Sequence, residues 1–243
     1  MNASGFGRCA LPALRHDVDS ALPTMSADTY FANERPEVAA LLPAGARHVL
    51  EVGCGEGRFA GHVRGRASYW GVEPSAAAVQ ARGRIDTVLQ GTWDEVEAQI
   101  PARHFDLAVC NDVIEHMAEP EAFLASLKTK LVAGAMVVGS VPNVRHLPHL
   151  AEMLWEQDWR YREAGILDRT HLRFFTRRSV ARLASDQGFV VDQLIGLNDI
   201  VSLSPWPGKA RWWLTQRALE VLTWRSQEDA RHLQIGFRLR LPA

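Results

Sequence analysis

The sequence predicts an α/β fold, a mostly parallel sheet covered by helices on both faces. Three observations predict it. Between residues 47 and 141 short apolar strands alternate with helical segments, the pattern of repeated strand–helix–strand units. The first strand runs without a break into a glycine-rich turn, VLEVGCGEGRFAG at 49–61, and then into a helix. The chain of 243 residues is long enough for one such domain with a sizeable core, or one with an appendage.

Residues 1–27 mix Pro, Gly, Ser and charge without periodicity and read as a loosely ordered leader, which leaves 28–243 for the domain. A helix is expected over 28–42, with Pro36 near a helix start and Val38, Leu41 and Leu42 on one apolar face. RHVLEV (47–52) is a buried strand, followed by a helix over 58–63. SYWGVE (68–73), RIDTVLQ (84–90), FDLAVC (105–110) and AMVVGSV (135–141) are four more strands, with helices over 75–82 and 119–131 between them. Acids open the helix at 119–131, where they suit the positive end of its dipole. Past Pro142 an aromatic-rich helix is expected over 146–161 and a second helix over 175–189, capped by Thr176 and closed by Gly188. FVVDQLIG (189–196) and HLQIGFRLRL (232–241) are the last strands, and 197–230 between them is too long for a simple loop.

Lys and Arg total 27 against 28 Asp and Glu, a formal net charge of -1. That balance argues against a general nucleic-acid binder. Cys9, Cys54 and Cys110 form no CxxC pair and no metal-ligand spacing, so a reducing compartment is expected. No stretch has the apolar length of a membrane span, and the first twenty residues lack a signal-peptide core. A cytoplasmic location is the default.

Gly53, Gly55 and Gly57 let a ligand approach the main chain closely. A dinucleotide fingerprint would carry a third glycine where Arg58 stands, which speaks against a pyrophosphate. Glu73 ends the second strand 18 residues beyond Gly55, an offset that suits a carboxylate accepting from ribose hydroxyls. The alternative is a solvated acid at a strand end. Glu51 lies inside an otherwise apolar strand, where a buried carboxylate needs a partner, and a ligand ammonium would serve.

Taken together, VLEVGCGEGRF, GVEPS and FDLAVCNDVIEHMAEP resemble the class I S-adenosylmethionine-dependent methyltransferases, within them the small-molecule branch that includes the ubiquinone-type O-methyltransferases. The likeness covers roughly residues 28–189. It implies a Rossmann-like seven-stranded sheet whose last strand is antiparallel, with S-adenosylmethionine at the carboxyl ends of the first strands. By this resemblance Gly53, Cys54 and Gly55 pass the methionine part of the cofactor, Glu73 holds the ribose hydroxyls and Pro74 packs near the adenine. Thr92 and Trp93 occupy the position where such enzymes often place an acid beside the adenine amine, with Asp94 close by. Asn111, Asp112 and Val113 match the segment that lines the cofactor after the fourth strand. His116 ends the recurring EH pattern, either as a backbone-bonded helix start or on the acceptor side. In TYFANERPEV, Tyr30 and Arg35 are placed to reach the cofactor carboxylate, which suits the planar guanidinium fork.

Methyl transfer from a sulfonium is an in-line displacement, so alignment carries much of the rate, and a hydroxyl acceptor must also lose a proton. Histidine takes that proton near neutral pH. VPNVRHLPH (141–149) offers Asn143, Arg145 and His146, with His149 read as structural. DRTHLRFFT (168–176) offers Asp168, His171 and Arg173. It looks like a recurring signature of bacterial methyltransferases tied to polysaccharide, glycolipid or secondary-metabolite genes. His171 and His146 are rival bases, Asp168 would orient His171, and His116, Asn143, Arg145 and Arg173 are the candidate acceptor contacts. The bland alternative is a hydrogen-bonded helix entry. No metal is implied, because Asp112, Asn143 and Asp168 are scattered in sequence. The leading reading is methylation of a small-molecule hydroxyl, on a sugar or lipid-linked glycan. N-methylation of an amine, an NAD-binding oxidoreductase and a non-catalytic cofactor-binding subunit are the alternatives.

Residues 204–226 hold four of the eight tryptophans. Leu214, Ala218, Val221 and Leu222 share a helical face, Trp213 and Trp224 another, and Lys209, Arg211, Arg217 and Arg225 surround them. Core packing, a substrate lid, a dimer contact and a membrane-surface contact all remain open.

Overall fold

The structure, a computed structural model, describes residues 34–243; the leader and Tyr30 lie outside the described residues. Seven strands form one sheet: β1 (His48–Val52), β2 (Ser68–Glu73), β3 (Thr87–Gln90), β4 (Phe105–Asn111), β5 (Leu131–Pro142), β6 (Val190–Asp199) and β7 (His232–Arg240). Their order is β3-β2-β1-β4-β5-β7-β6. Strands β1 to β5 pair in parallel, and β7 runs antiparallel to both neighbours, β5 and β6. The expected seven-stranded sheet with an antiparallel last strand is therefore present.

Both faces of the sheet are covered, and the strands read accordingly as apolar runs. Side chains alternate across β1. Leu50 and Val52 enter one core with Phe123, Leu124 and Leu127, while Val49 enters the opposite core with Val38, Leu41 and Phe59. The helices are α1 (Pro36–Ala39), α2 (Ala78–Ala81), α3 (Trp93–Val96), α4 (Pro120–Lys130), α5 (Leu147–Trp155), α6 (Arg177–Asp186), α7 (Ile200–Leu203) and α8 (Gly208–Thr223). Thr176 caps α6 by accepting from Ser179 N–H at 3.2 Å, and Gly188 turns the chain out at a φ of 80°.

Some elements are shorter than their sequence pattern. The helix expected over 58–63 is one 3-10 turn, Arg58–His62, with Gly61 inside it. The helix expected over 75–82 is regular only over Ala78–Ala81; it is entered through turns closing three residues apart, with Ala78 N–H on the Ser75 carbonyl at 3.3 Å, and Glu73 accepts the Ser75 N–H at 2.9 Å. The aromatic helix stops at Trp155, and Gln157 turns left-handed at a φ of 54°. Between β6 and β7 the chain forms α7 and α8. Ile200, Val201, Trp212 and Ala230 build a separate small core there with Leu147 of α5. Among the described residues no helix is long and apolar enough to cross a membrane.

Candidate functional site

The order of the sheet places a crevice at the carboxyl end of β1. From β1 the chain moves outward to β2 and β3, then crosses back to β4 on the other side, and ligands bind where the direction reverses. The glycine turn after β1 stays tied to β2, since the N–H groups of Gly53 and Cys54 both donate to the Val72 carbonyl, at 2.8 and 3.1 Å. Gly53 is left-handed (φ 72°), and a Cβ on it would stand 2.6 Å from Cγ2 of Val113. The turns after β1 and β4 therefore touch at a point where only glycine fits. The Cys54 thiol packs against Gly71 and is pushed up by burial, so it is an inert wall.

Glu73 joins the turns after β1 and β2. Its carboxylate is buried and accepts from Gly55 N–H at 2.8 Å and from Ser75 N–H at 2.9 Å. One lone pair on each oxygen remains for a ligand hydroxyl. The solvated strand-end alternative is thus excluded. Pro74 is exposed beside it.

The turn after β4 forms the opposite wall. Asp112 is left-handed (φ 51°), a conformation uncommon for residues other than glycine. Three donors fix it: Arg35 from the chain before α1, the Ser140 hydroxyl of β5 at 2.7 Å, and the Gln234 amide of β7 at 2.7 and 2.8 Å. Arg35, expected at the cofactor carboxylate, is ion-paired to Asp112. Asn111 presents a buried amide whose oxygen and nitrogen have no protein partner. A buried amide without partners is costly, and a bound ligand carrying both donors and acceptors removes that cost. The pinned Glu73 carboxylate, the glycine turn and the unpartnered Asn111 together fit the amino acid and ribose of S-adenosylmethionine.

Two residues expected near the cofactor have protein partners. Glu51 has one on a single carboxyl oxygen. It is 2% exposed and accepts from the Tyr69 hydroxyl at 2.9 Å. Burial raises its pKa to about 8, with Glu73 adding to the rise and Tyr69 opposing it. The strand register could have revealed this pair. Tyr69 is opposite Val49, which places it on the same face as Glu51 and one step along. Trp93 is buried against Phe123, edge-on at 5.2 Å, with its indole N–H donated to Ser126 at 3.1 Å. Its edge is therefore not free for the adenine amine. Thr92 opens α3, with its N–H and hydroxyl on the Glu95 carboxylate at 2.8 and 2.9 Å.

A second cluster forms where 168–173 folds over the turn after β4. The N–H groups of Leu172 and Arg173 donate to the Glu115 carbonyl, at 2.8 and 3.0 Å. This lays His171 against His116, with ring centres 4.8 Å apart. His171 Nδ1 is 2.9 Å from the Ile166 carbonyl and His116 Nδ1 is 3.1 Å from the Thr170 carbonyl. A carbonyl only accepts, so each Nδ1 carries the proton and each Nε2 is left as a bare acceptor. Glu115 is 1% exposed, and neither carboxyl oxygen has a hydrogen-bond partner. Its Oε1 lies 3.9 Å from His171 Nε2. Burial first, and then the Asp112 charge, hold its pKa well above the usual carboxylate range. Burial and then His171 lower the pKa of His116. Among the described residues these three are the one set of His, Cys, Asp and Glu with ligand atoms close enough to hold a metal, all within 4.8 Å. The sequence search missed it because it weighed only Asp112, Asn143 and Asp168. Glu115, beside His116 in IEH, was the available signal. An open cleft of about 340 Å³ lies against His171, lined also by Tyr161, Arg169 and Leu172.

The other expected acceptor-side residues point to different work. The Asp168 carboxylate does not orient the His171 ring: its Oδ1 accepts from the N–H and hydroxyl of Thr170 at 2.8 and 2.6 Å, while the Asp168 carbonyl accepts from the His171 N–H at 3.0 Å. Asn143 spends both amide hydrogens on the carbonyls of Asp229 and His232, at 2.8 and 3.0 Å, and ties β5 to the start of β7. Arg145 pairs with Asp229 at 3.0 Å and donates to Gln227. Arg173 donates to the carbonyls of Leu172 and Ala118. His146 is 2% exposed at the start of α5, and burial lowers its pKa to about 4. His149 packs edge-on against Trp159 at 5.2 Å.

A doubly wound sheet with a glycine turn, a pinned acid after β2 and an unpartnered amide after β4 is an arrangement that fits the S-adenosylmethionine-binding class of α/β proteins. Residues 24–194 match the methyltransferase domain family, and the chain belongs to that family. It is 26% identical over 178 residues to the mitochondrial ubiquinone biosynthesis O-methyltransferase of Schizosaccharomyces pombe, covering 69% of this chain and 62% of that protein. The chain thus matches somewhat under two thirds of that relative's length. It is 27% identical over 198 residues to the ubiquinone biosynthesis O-methyltransferase of Psychrobacter arcticus, over 77% of this chain and 73% of that one. The fold is shared with a SAM-dependent methyltransferase of Archaeoglobus fulgidus at a TM-score of 0.62 and 17% identity, covering 88% of this chain and 94% of the other. The chain therefore carries a methyltransferase domain.

Proposed function

We propose that this enzyme methylates a hydroxyl of a small molecule, with a sugar or lipid-linked glycan as the acceptor class. The observation that carries the reading is His171. Its Nδ1 proton is fixed on the Ile166 carbonyl, so Nε2 is a bare base beside an open cleft. Two relatives named as O-methyltransferases favour oxygen over nitrogen.

S-adenosylmethionine supplies a methyl group on a sulfonium leaving group. Glu73 and Asn111 would hold the cofactor, Glu73 accepting from its hydroxyls and Asn111 offering a donor and an acceptor. The cleft formed by Tyr161, Arg169 and Leu172 holds the acceptor. His171 Nε2 takes the hydroxyl proton as the oxygen attacks. The Glu115 carboxyl, 3.9 Å away, faces the positive charge that develops on the ring.

Transfer from methyl-labelled cofactor to sugar, phenol and amine acceptors tests this. With a hydroxyl acceptor, His171→Ala is expected to lower turnover on the order of 10²–10⁴-fold. S-adenosylhomocysteine affinity should stay near wild type, and the acidic limb of the pH–rate profile should vanish. Full turnover with the limb intact would contradict the base assignment. Activity lost to a chelator and restored by a divalent cation would instead assign Glu115, His116 and His171 to metal binding.

A further inference from the structure

Helix α8 has two apolar faces and only one is covered. Trp212 and Leu219 turn inward and pack with Ile200, Val201 and Leu147. Leu214, Ala218 and Val221, at helical spacings of four and three, are all exposed on the opposite side. Trp213 stands beside them on the stripe that also carries Arg217. The helix is bracketed by the two most exposed tryptophans, Trp206 at 79% and Trp224 at 94%. Lys209, Arg211, Arg217 and Arg225 are exposed around this surface. The one acid on the helix, Glu220, is engaged by Arg217 at 2.6 Å and Gln216 at 2.9 Å. A chain of net charge -1 has therefore gathered a local excess of cations at its most exposed tryptophans.

We infer that this face of α8 docks on an anionic lipid surface. A two-fold contact between copies of the chain would set the same patch against itself, cation against cation. The charge therefore calls for an anionic partner. Tryptophans at both ends of an apolar stripe, with arginine and lysine beside it, match the requirements of the headgroup boundary. There the indoles bury their rings while the cations meet phosphate. The inward face stays packed on the protein, so the helix lies flat on the surface without leaving the fold. This inference is independent of the acceptor assignment.

Co-sedimentation with vesicles of mixed phosphatidylglycerol and phosphatidylcholine tests it, with pure phosphatidylcholine vesicles as the comparison. The full chain is expected to bind the anionic vesicles, to be released at high salt, and to bind phosphatidylcholine weakly. Two double variants, Trp206→Ala with Trp224→Ala and Arg211→Gln with Arg217→Gln, should each weaken binding about tenfold or more. Both should keep wild-type affinity for S-adenosylhomocysteine, which shows that they fold. No binding to anionic vesicles, or binding unchanged in both variants, overturns the inference. Concentration-dependent dimers in sedimentation velocity that the tryptophan variant abolishes would overturn it in favour of a second copy.

Discussion

Individual side chains in this site are held by partners that the sequence only partly discloses. Glu73 was legible, because a strand-end acid at that distance from the glycine turn has a recognisable use. Its grip on Gly55 and Ser75 was not, because it depends on how two turns meet. Glu51 has a consequence that can be measured. In the native state burial keeps its proton until pH about 8, whereas the unfolded carboxyl loses it near 4.5. Across that window the native state binds the extra proton, so stability falls as pH rises, by about 1.4 kcal/mol per unit at most. His146 acts in the opposite sense. Native His146 stays neutral down to about 4, so its contribution is lost as pH falls below 6.5. Glu51 is therefore read above 6.5. Denaturant unfolding between pH 6.5 and 8 should show declining stability in wild type and a shallower decline in Glu51→Gln, whose amide oxygen still accepts from Tyr69. Glu115 has the same sign, so the variant still declines. Equal slopes in the two proteins would place a charged Glu51 in the native state.

At the scale of elements, the strands were legible and the short helices were not. Apolar runs such as VLEV and DLAVC have few alternatives once a sheet forms. By contrast, 58–63 and 75–82 fold largely as turns closing three residues apart, so periodicity overstated both. The tryptophan-rich segment was recognised as helical, yet its face toward α5 became visible only with the fold. The histidine cluster shows the same limit. His171 and His116 lie 55 residues apart in parts of the chain joined by backbone hydrogen bonds to Glu115, which no local pattern reveals. The glycine turn offers a test at this scale. Gly53→Ala places a methyl 2.6 Å from Val113 and strains a φ of 72°. It should cost about 1–3 kcal/mol in denaturant unfolding and weaken cofactor binding. Adding Val113→Ala should recover the steric part and leave the backbone part. A Gly53→Ala protein of wild-type stability would mean that the two turns do not touch.

For the whole molecule, the strand order makes one crevice, and every residue that fits the cofactor comes from the carboxyl ends of β1, β2 and β4. The glycine turn has Arg58 where a dinucleotide fingerprint carries its third glycine, and the sheet ends in an antiparallel β7, both of which set it apart from a dinucleotide fold. Titration calorimetry of the full chain with S-adenosylhomocysteine, run beside NAD, tests the central claim most directly. The structure predicts one saturable site for S-adenosylhomocysteine, no heat with NAD, and at least about tenfold weaker binding in Glu73→Gln, which loses a charged acceptor at the ribose. No binding of S-adenosylhomocysteine together with a clear isotherm for NAD would contradict it.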